Sequence, residues 1–342
     1  MIQVKFEKAL KNNAFRVVKL VFVGFTATSL ALGVSACRPY EAVKSALAEE
    51  AIPPMPAPEV ATYVLDLSGS TNPTAQLEAL GSGIEDFIAG RSLGNPIAKS
   101  PEAPRGLSIQ FITANAAQAP RIQLVSIEAS QELYKFVVNR GLNIEGSTIL
   151  WNGFVNAREQ IWQNPVLDGN PAACVEQVVE YFGKQQLGAD ELKEPARLIC
   201  QDAKKTATAL KRLDNFVSNP NVKSGSDVQG ALMIGLKNLI NGQNQFPSAR
   251  LTLVIASDLI DEAGLNLPSK LAGSDSNRAC ELGTNEASKV TADFSAVNVV
   301  LVGSRNSNAS TQLLDRVGSY WSCYFNQMGI TNIEEKSDLS GF

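Results

Sequence analysis

Five short apolar segments, several of them nearly unbroken, constrain the fold more than any other feature of the chain. They are Tyr63–Leu65 running into Asp66, Leu107–Ile112, Ile122–Ile127, Leu251–Ala256 and Val297–Val302. The nearly continuous runs among them are the pattern of strands covered on both faces. Between them, apolar residues recur at three- and four-residue steps: Leu77, Leu80, Ile84, Phe87 and Ile88; Val228, Leu232, Leu236, Leu239 and Ile240; and Leu313, Leu314, Val317 and Trp321. That spacing predicts amphipathic helices. Strands alternating with helices predict an α/β domain built on a doubly wound, mostly parallel sheet. One stretch departs from the alternation. From about 164 to 221 the pattern is helical (Val175, Val178, Val179, Phe182, then Ala207, Leu210, Leu213, Phe216) and holds no strand, which predicts a helical insertion on the core.

At 342 residues, 44% hydrophobic and 19% charged, the chain can bury one large core or two small ones. Disordered, collagenous and multi-span membrane classes are excluded. No histidine is present. This removes Ser-His-Asp and Cys-His catalysis, and the metal sites that require imidazole. Formal net charge is −4, yet residues 1–36 hold five cations (Lys5, Lys8, Lys11, Arg16, Lys19) against one anion, Glu7. Subtracting that +4 leaves −8 on the remainder. An acidic domain lacks the clustered cations that nucleic-acid phosphates demand, so no nucleic-acid partner is expected.

The N-terminal charges precede an apolar run from Leu20 to Val34, followed by Ser35, Ala36 and Cys37. Charged region, hydrophobic region and small residues, in that order, predict a secretory signal over 1–36. The run is shorter than the ~20 residues a spanning helix needs. Val34-Ser35-Ala36-Cys37 resembles a bacterial lipobox, which implies cleavage before Cys37 and lipid on that cysteine, and hence attachment to a membrane. Arg38, rather than Asp, follows the cysteine; the resemblance then implies outer-membrane sorting within a bacterial envelope. Residues 37–60 include Glu49, Glu50, Pro53, Pro54, Pro56 and Pro58, a composition that predicts an extended tether. Residues 61–342 form the folded domain.

Cys174, Cys200, Cys280 and Cys323 remain. An even number in an exported chain, without any Cys-x-x-Cys spacing, predicts two disulfides. Cys174 with Cys200 and Cys280 with Cys323 is the preferred pairing, since each loop then closes within one segment.

Ligands of open α/β sheets sit beyond the carboxyl ends of the strands. There the first strand ends in Asp66-Leu67-Ser68-Gly69-Ser70-Thr71. A carboxylate followed by hydroxyls at alternate positions of a tight turn places Asp66, Ser68 and Ser70 around one small volume. Such oxygens suit a hard cation, Mg²⁺ or Mn²⁺. Asp-x-Ser-x-Ser after an apolar strand resembles the metal-ion-dependent adhesion site of von Willebrand factor A domains. The resemblance implies a Rossmann-like core, with further ligands from a Thr loop and from an Asp after the fourth strand. Gly225-Ser226-Asp227-Val228 is similar to the Thr loop with Ser226 in place of threonine, and Ala256-Ser257-Asp258-Leu259 supplies Asp258. Leu259 stands where the family usually has glycine. Thr148, in Gly146-Ser147-Thr148, is the alternative to Ser226.

Other residues read more plainly. Asp261 and Glu262 are expected on a solvated acidic surface. Gly90-Arg91-Ser92-Leu93-Gly94 matches a hydrolase nucleophile elbow but follows a helical pattern and has no histidine to serve as base. Trp321, Tyr324 and Phe325 are expected in the core. The functional expectation is a lipid-anchored, non-enzymatic binding protein whose site takes an Asp or Glu carboxylate of a protein partner. A metal-free envelope scaffold and a Mg²⁺-assisted hydrolase are the alternatives.

Overall fold

The structure, a computed structural model, describes residues 57–68, 105–125, 131–133, 135–136, 139–140, 171–183, 189–217, 225–304 and 309–336. Outside them lie the expected signal, Cys37, most of the tether, the helix expected around 77–88, Ser70, Gly90–Gly94 and Thr148.

Six described strands form one sheet: β1 Glu59–Asp66, β2 Arg105–Ile112, β3 Ile122–Val125, β4 Arg250–Ala256, β5 Val297–Val302 and β6 Ile333–Lys336. Their order is β3-β2-β1-β4-β5-β6. All neighbours are parallel except β2 and β3, which are antiparallel. The exception follows from length. Only residues 113–121, with a 3-10 turn at Ala116–Gln118, join β2 to β3, whereas a parallel crossover needs about a dozen residues or more. The sixth strand, Ile-Glu-Glu-Lys, is not foreseen from sequence; it is a partly exposed edge with one apolar residue.

Six helices are described: α1 Pro171–Gly183, α2 Ala189–Val217, α3 Val228–Gln245, α4 Leu267–Lys270, α5 Ser276–Ala287 and α6 Thr311–Gln327. The period-two geometry of the strands sends alternate side chains to opposite faces. Val64, Leu253, Ile255 and Val299 join α3, α5 and α6 in one buried cluster, while Tyr63, Leu65, Phe111, Val254 and Val300 join Ala209 and Leu213 of α2 in another. The Phe111 and Phe216 rings are 4.7 Å apart between centroids. The helical segment read from sequence as an insertion thus contributes a covering layer to the sheet.

Two disulfides are present, Cys174–Cys200 between α1 and α2, and Cys280–Cys323 between α5 and α6. At the second contact a Cβ on Gly283 would overlap the carbonyl oxygen of Tyr320, so glycine is what permits the close approach of α5 and α6. Trp321, Tyr324 and Phe325 are all buried, as their spacing predicts.

Among the described residues no helix is long and apolar enough to cross a membrane.

Candidate functional site

Register places the site. Asp66 pairs with Ile112 and Leu65 with Ala256, so β1, β2 and β4 end together on one rim of the sheet. Chain connectivity runs outward in both directions from β1 and β4, and such a reversal opens a crevice at the carboxyl ends of the strands. Asp66 and Ser257-Asp258 stand at this reversal, buried at the ends of β1 and β4.

Asp66 is fully buried. Its Oδ1 accepts from the Ser68 amide at 2.8 Å, and its Oδ2 accepts from the Ser257 hydroxyl at 2.7 Å. Burial pushes its carboxyl above the ordinary aspartate range and the neighbouring Asp258 charge adds to the rise, while the hydrogen bonds oppose it. Ser257 has no role in the sequence reading although it stands beside Asp258. Its Oγ bridges, donating to Asp66 and accepting from the Leu259 amide at 2.9 Å.

Leu259 adopts a backbone conformation that suits glycine better than leucine. Its φ is +63°, in the left-handed region that a side chain enters only at a cost. Two contacts hold it there. Its amide is bound to Ser257, and its carbonyl accepts from the Trp321 indole N–H at 2.8 Å. The leucine side chain, 2% exposed, is packed in the core. Asp258 follows the same path: Oδ1 accepts from the Ile260 amide at 3.0 Å, and Oδ2 is buried without a hydrogen-bond partner.

Ser226 reaches the rim from the turn before α3, where Gly225 adopts φ +78°. Its carbonyl accepts from the amides of Glu262 and Ala263 at 2.9 and 3.1 Å, which joins this turn to the loop after β4. Its Oγ, like Asp258 Oδ2, is buried and has no hydrogen-bond partner. Asp227 caps α3, accepting from the Gly230 amide at 2.9 Å, and its other oxygen accepts from the Ala116 amide at 3.2 Å. The Asp227 amide in turn donates to Thr113 at the end of β2.

Asp261 overturns its sequence reading. It is fully buried, whereas Glu262 beside it is exposed. Its Oδ2 accepts from the Gln229 amide at 3.0 Å, and Oδ1 accepts from the amides of Leu265 and Asn266. Burial raises its carboxyl above the ordinary range, with the Asp227 charge contributing. The physical reason for the correction is that backbone amides from two segments replace its hydration, which nothing in the local Asp-Glu sequence announces.

The structure thus brings Asp66, Ser68, Ser226 and Asp258 to one rim through loops tied to each other by backbone hydrogen bonds. Ser70 and Thr148 lie outside the described residues. Among the described residues no group of three or more carboxylate, thiol or imidazole side chains is placed to hold a metal. The set at the rim is different in kind, with two carboxylates supplemented by serine hydroxyls. It fits a hard cation chemically. Two orphaned buried oxygens give that fit a physical basis, since each would otherwise carry a desolvation cost of about 1–3 kcal/mol.

Comparison of the chain with protein-family models, with curated proteins and with solved structures gave no match.

Proposed function

We propose that this chain is a membrane-tethered extracytoplasmic binding lipoprotein with a von Willebrand factor A-like domain. It would engage a protein partner through a cation-occupied adhesion site. The observation that carries the reading is the pair of unpartnered buried oxygens, Ser226 Oγ and Asp258 Oδ2, on the rim that also holds Asp66. The strand order, which is that of doubly wound sheets with the edge strand reversed, and the left-handed backbone at Leu259 support it further. Asp66, Ser68, Ser70, Ser226 and Asp258 are the residues that would hold Mg²⁺ or Mn²⁺. Bound there, the ion would offer an open coordination position to an Asp or Glu oxygen of the partner.

Such a site spans loops far apart in sequence, so the ion should bind the folded chain and hardly bind the unfolded one. At about 100 times its dissociation constant Mg²⁺ should stabilise the fold by roughly 2.7 kcal/mol. Calorimetric titration and thermal melting measure this. Asp66→Ala should abolish the gain, and Ser226→Ala should weaken it while Thr148→Ala leaves it unchanged. The reverse ranking reassigns the hydroxyl to Thr148. No heat and no thermal shift with either ion would reject the cation site and leave a metal-free scaffold as the better account.

The tether is tested separately. Fatty-acid labelling of cells should mark the wild-type chain and not Cys37→Ser, whose folded domain should lose its membrane attachment. An unlabelled wild type would end the lipoprotein reading.

A further inference from the structure

A second feature of the molecule uses none of the residues assigned to the cation. Where the edge strand β3 meets α2 lies a cleft of about 660 Å³. Four cations line it: Lys204, Lys205 and Arg212 from α2, and Arg121 just before β3. The carboxylate in its lining is the buried Asp202. This concentration of positive charge stands on a chain whose net charge is −4.

The same helix shows that the arrangement is local. In its first half Lys193 pairs with Asp190 and Arg197 with Glu194, each three residues apart. Lys204, Lys205 and Arg212 are exposed, and among the described residues none of them has a salt-bridge partner. Like charges left unpaired in a concave site repel one another and attract anions.

Spacing selects the kind of anion. A phosphate site converges its donors on a point. Here the cations are strung along a wall: Lys204 and Arg212 are eight residues apart, with Thr208 between them, so their charges are separated by about 12 Å along the helix. On an extended peptide, side chains four residues apart lie on one face about 13 Å from each other, close to the same interval. Ile122, Leu124 and Ala209, buried in the core beneath, form the floor between the charged walls. The two arginines face carboxylates with planar, bidentate donors.

We infer that the cleft between β3 and α2 is a docking groove for an extended acidic peptide segment of a partner protein, with acidic residues four positions apart.

Fluorescence anisotropy of the full-length chain with a short labelled peptide alternating glutamate and valine tests this. The assay is run at low ionic strength with chelator present, so that failure of the cation site leaves the result untouched. Saturable binding that weakens with salt is expected, along with a loss of about tenfold or more in the Lys204→Glu/Arg212→Glu double variant. Arg121→Gln, on the opposite wall, should weaken binding too, and it decides the matter if circular dichroism shows that the double variant is misfolded. No saturable binding, equal binding of the glutamine-for-glutamate peptide, or wild-type affinity in the correctly folded variants would overturn the inference. Tighter binding of inorganic tripolyphosphate than of the peptide would also overturn it, in favour of a phosphate site.

Discussion

Reduction of both disulfides should remove a large part of the domain's stability. Cys174–Cys200 and Cys280–Cys323 span 26 and 43 residues. In the chain-entropy model, closing loops of those lengths restricts the unfolded chain by roughly 3.5 and 4 kcal/mol. The loops are neither nested nor overlapping, and they join different helix pairs on opposite faces of the sheet. Their contributions should therefore add, to about 7.5 kcal/mol. A domain's entire stability is typically about 5–15 kcal/mol. Denaturant unfolding with and without reductant measures the loss, and single pairs replaced by alanine apportion it. The Cys280→Ala/Cys323→Ala variant should lose slightly more than Cys174→Ala/Cys200→Ala. A reduced protein with an unchanged denaturation midpoint would show that the reduced chain is already constrained by other means.

How much of this molecule could be read from its sequence depended on whether the information was local. β1, β4 and β5 were legible because strands buried on both faces need apolar side chains at nearly every position, and β2 because Leu107, Ile109, Phe111 and Ile112 mark it despite the buried Ser108 and Gln110. Val64 and Leu65, adjacent in sequence, serve opposite faces. β6 was not legible: an edge strand of Ile-Glu-Glu-Lys gains its place by pairing with β5, and charged residues are what protect such an edge from other chains. The direction of β3 followed from the length of the link before it, not from its own residues. At the rim, Asp66, Ser68, Ser226 and Asp258 could be named because each follows a strand or precedes a helix in a recognisable pattern. Asp261 could not, since the amides that satisfy it come from Gln229 and from Leu265 and Asn266. Ser257 was hidden in the same way, its significance resting on a hydrogen bond across 191 residues to Asp66. The departure at Leu259 was visible, but its meaning required the backbone angle and the distant Trp321 that supports it.

Trp321 carries the largest single-residue effect we expect, and it links the core to the rim. Its side chain is 1% exposed, with ring centroids 5.1 Å from Tyr320, 5.2 Å from Tyr324 and 5.9 Å from Phe325. Trp321→Ala removes these contacts and leaves a cavity, which should cost about 3–5 kcal/mol by denaturant unfolding. Trp321→Phe is the more informative change. It keeps an aromatic ring in the cluster but removes the indole N–H from the carbonyl of Leu259. A buried carbonyl deprived of its donor costs about 1–3 kcal/mol. Here that carbonyl belongs to a residue held at φ +63°, so the loop loses a restraint that keeps it in an unfavourable conformation. Any relaxation acts first on Asp258, the adjacent residue. Where the rim holds the proposed cation, affinity should therefore fall further in Trp321→Phe than in Leu213→Ala, which creates a cavity in the cluster on the opposite face of the sheet without touching the loop. Paired unfolding curves and Mg²⁺ titrations of the two variants separate a general loss of stability from a specific loss of the rim. Equal affinities would mean that the backbone of Leu259 keeps its conformation without the indole.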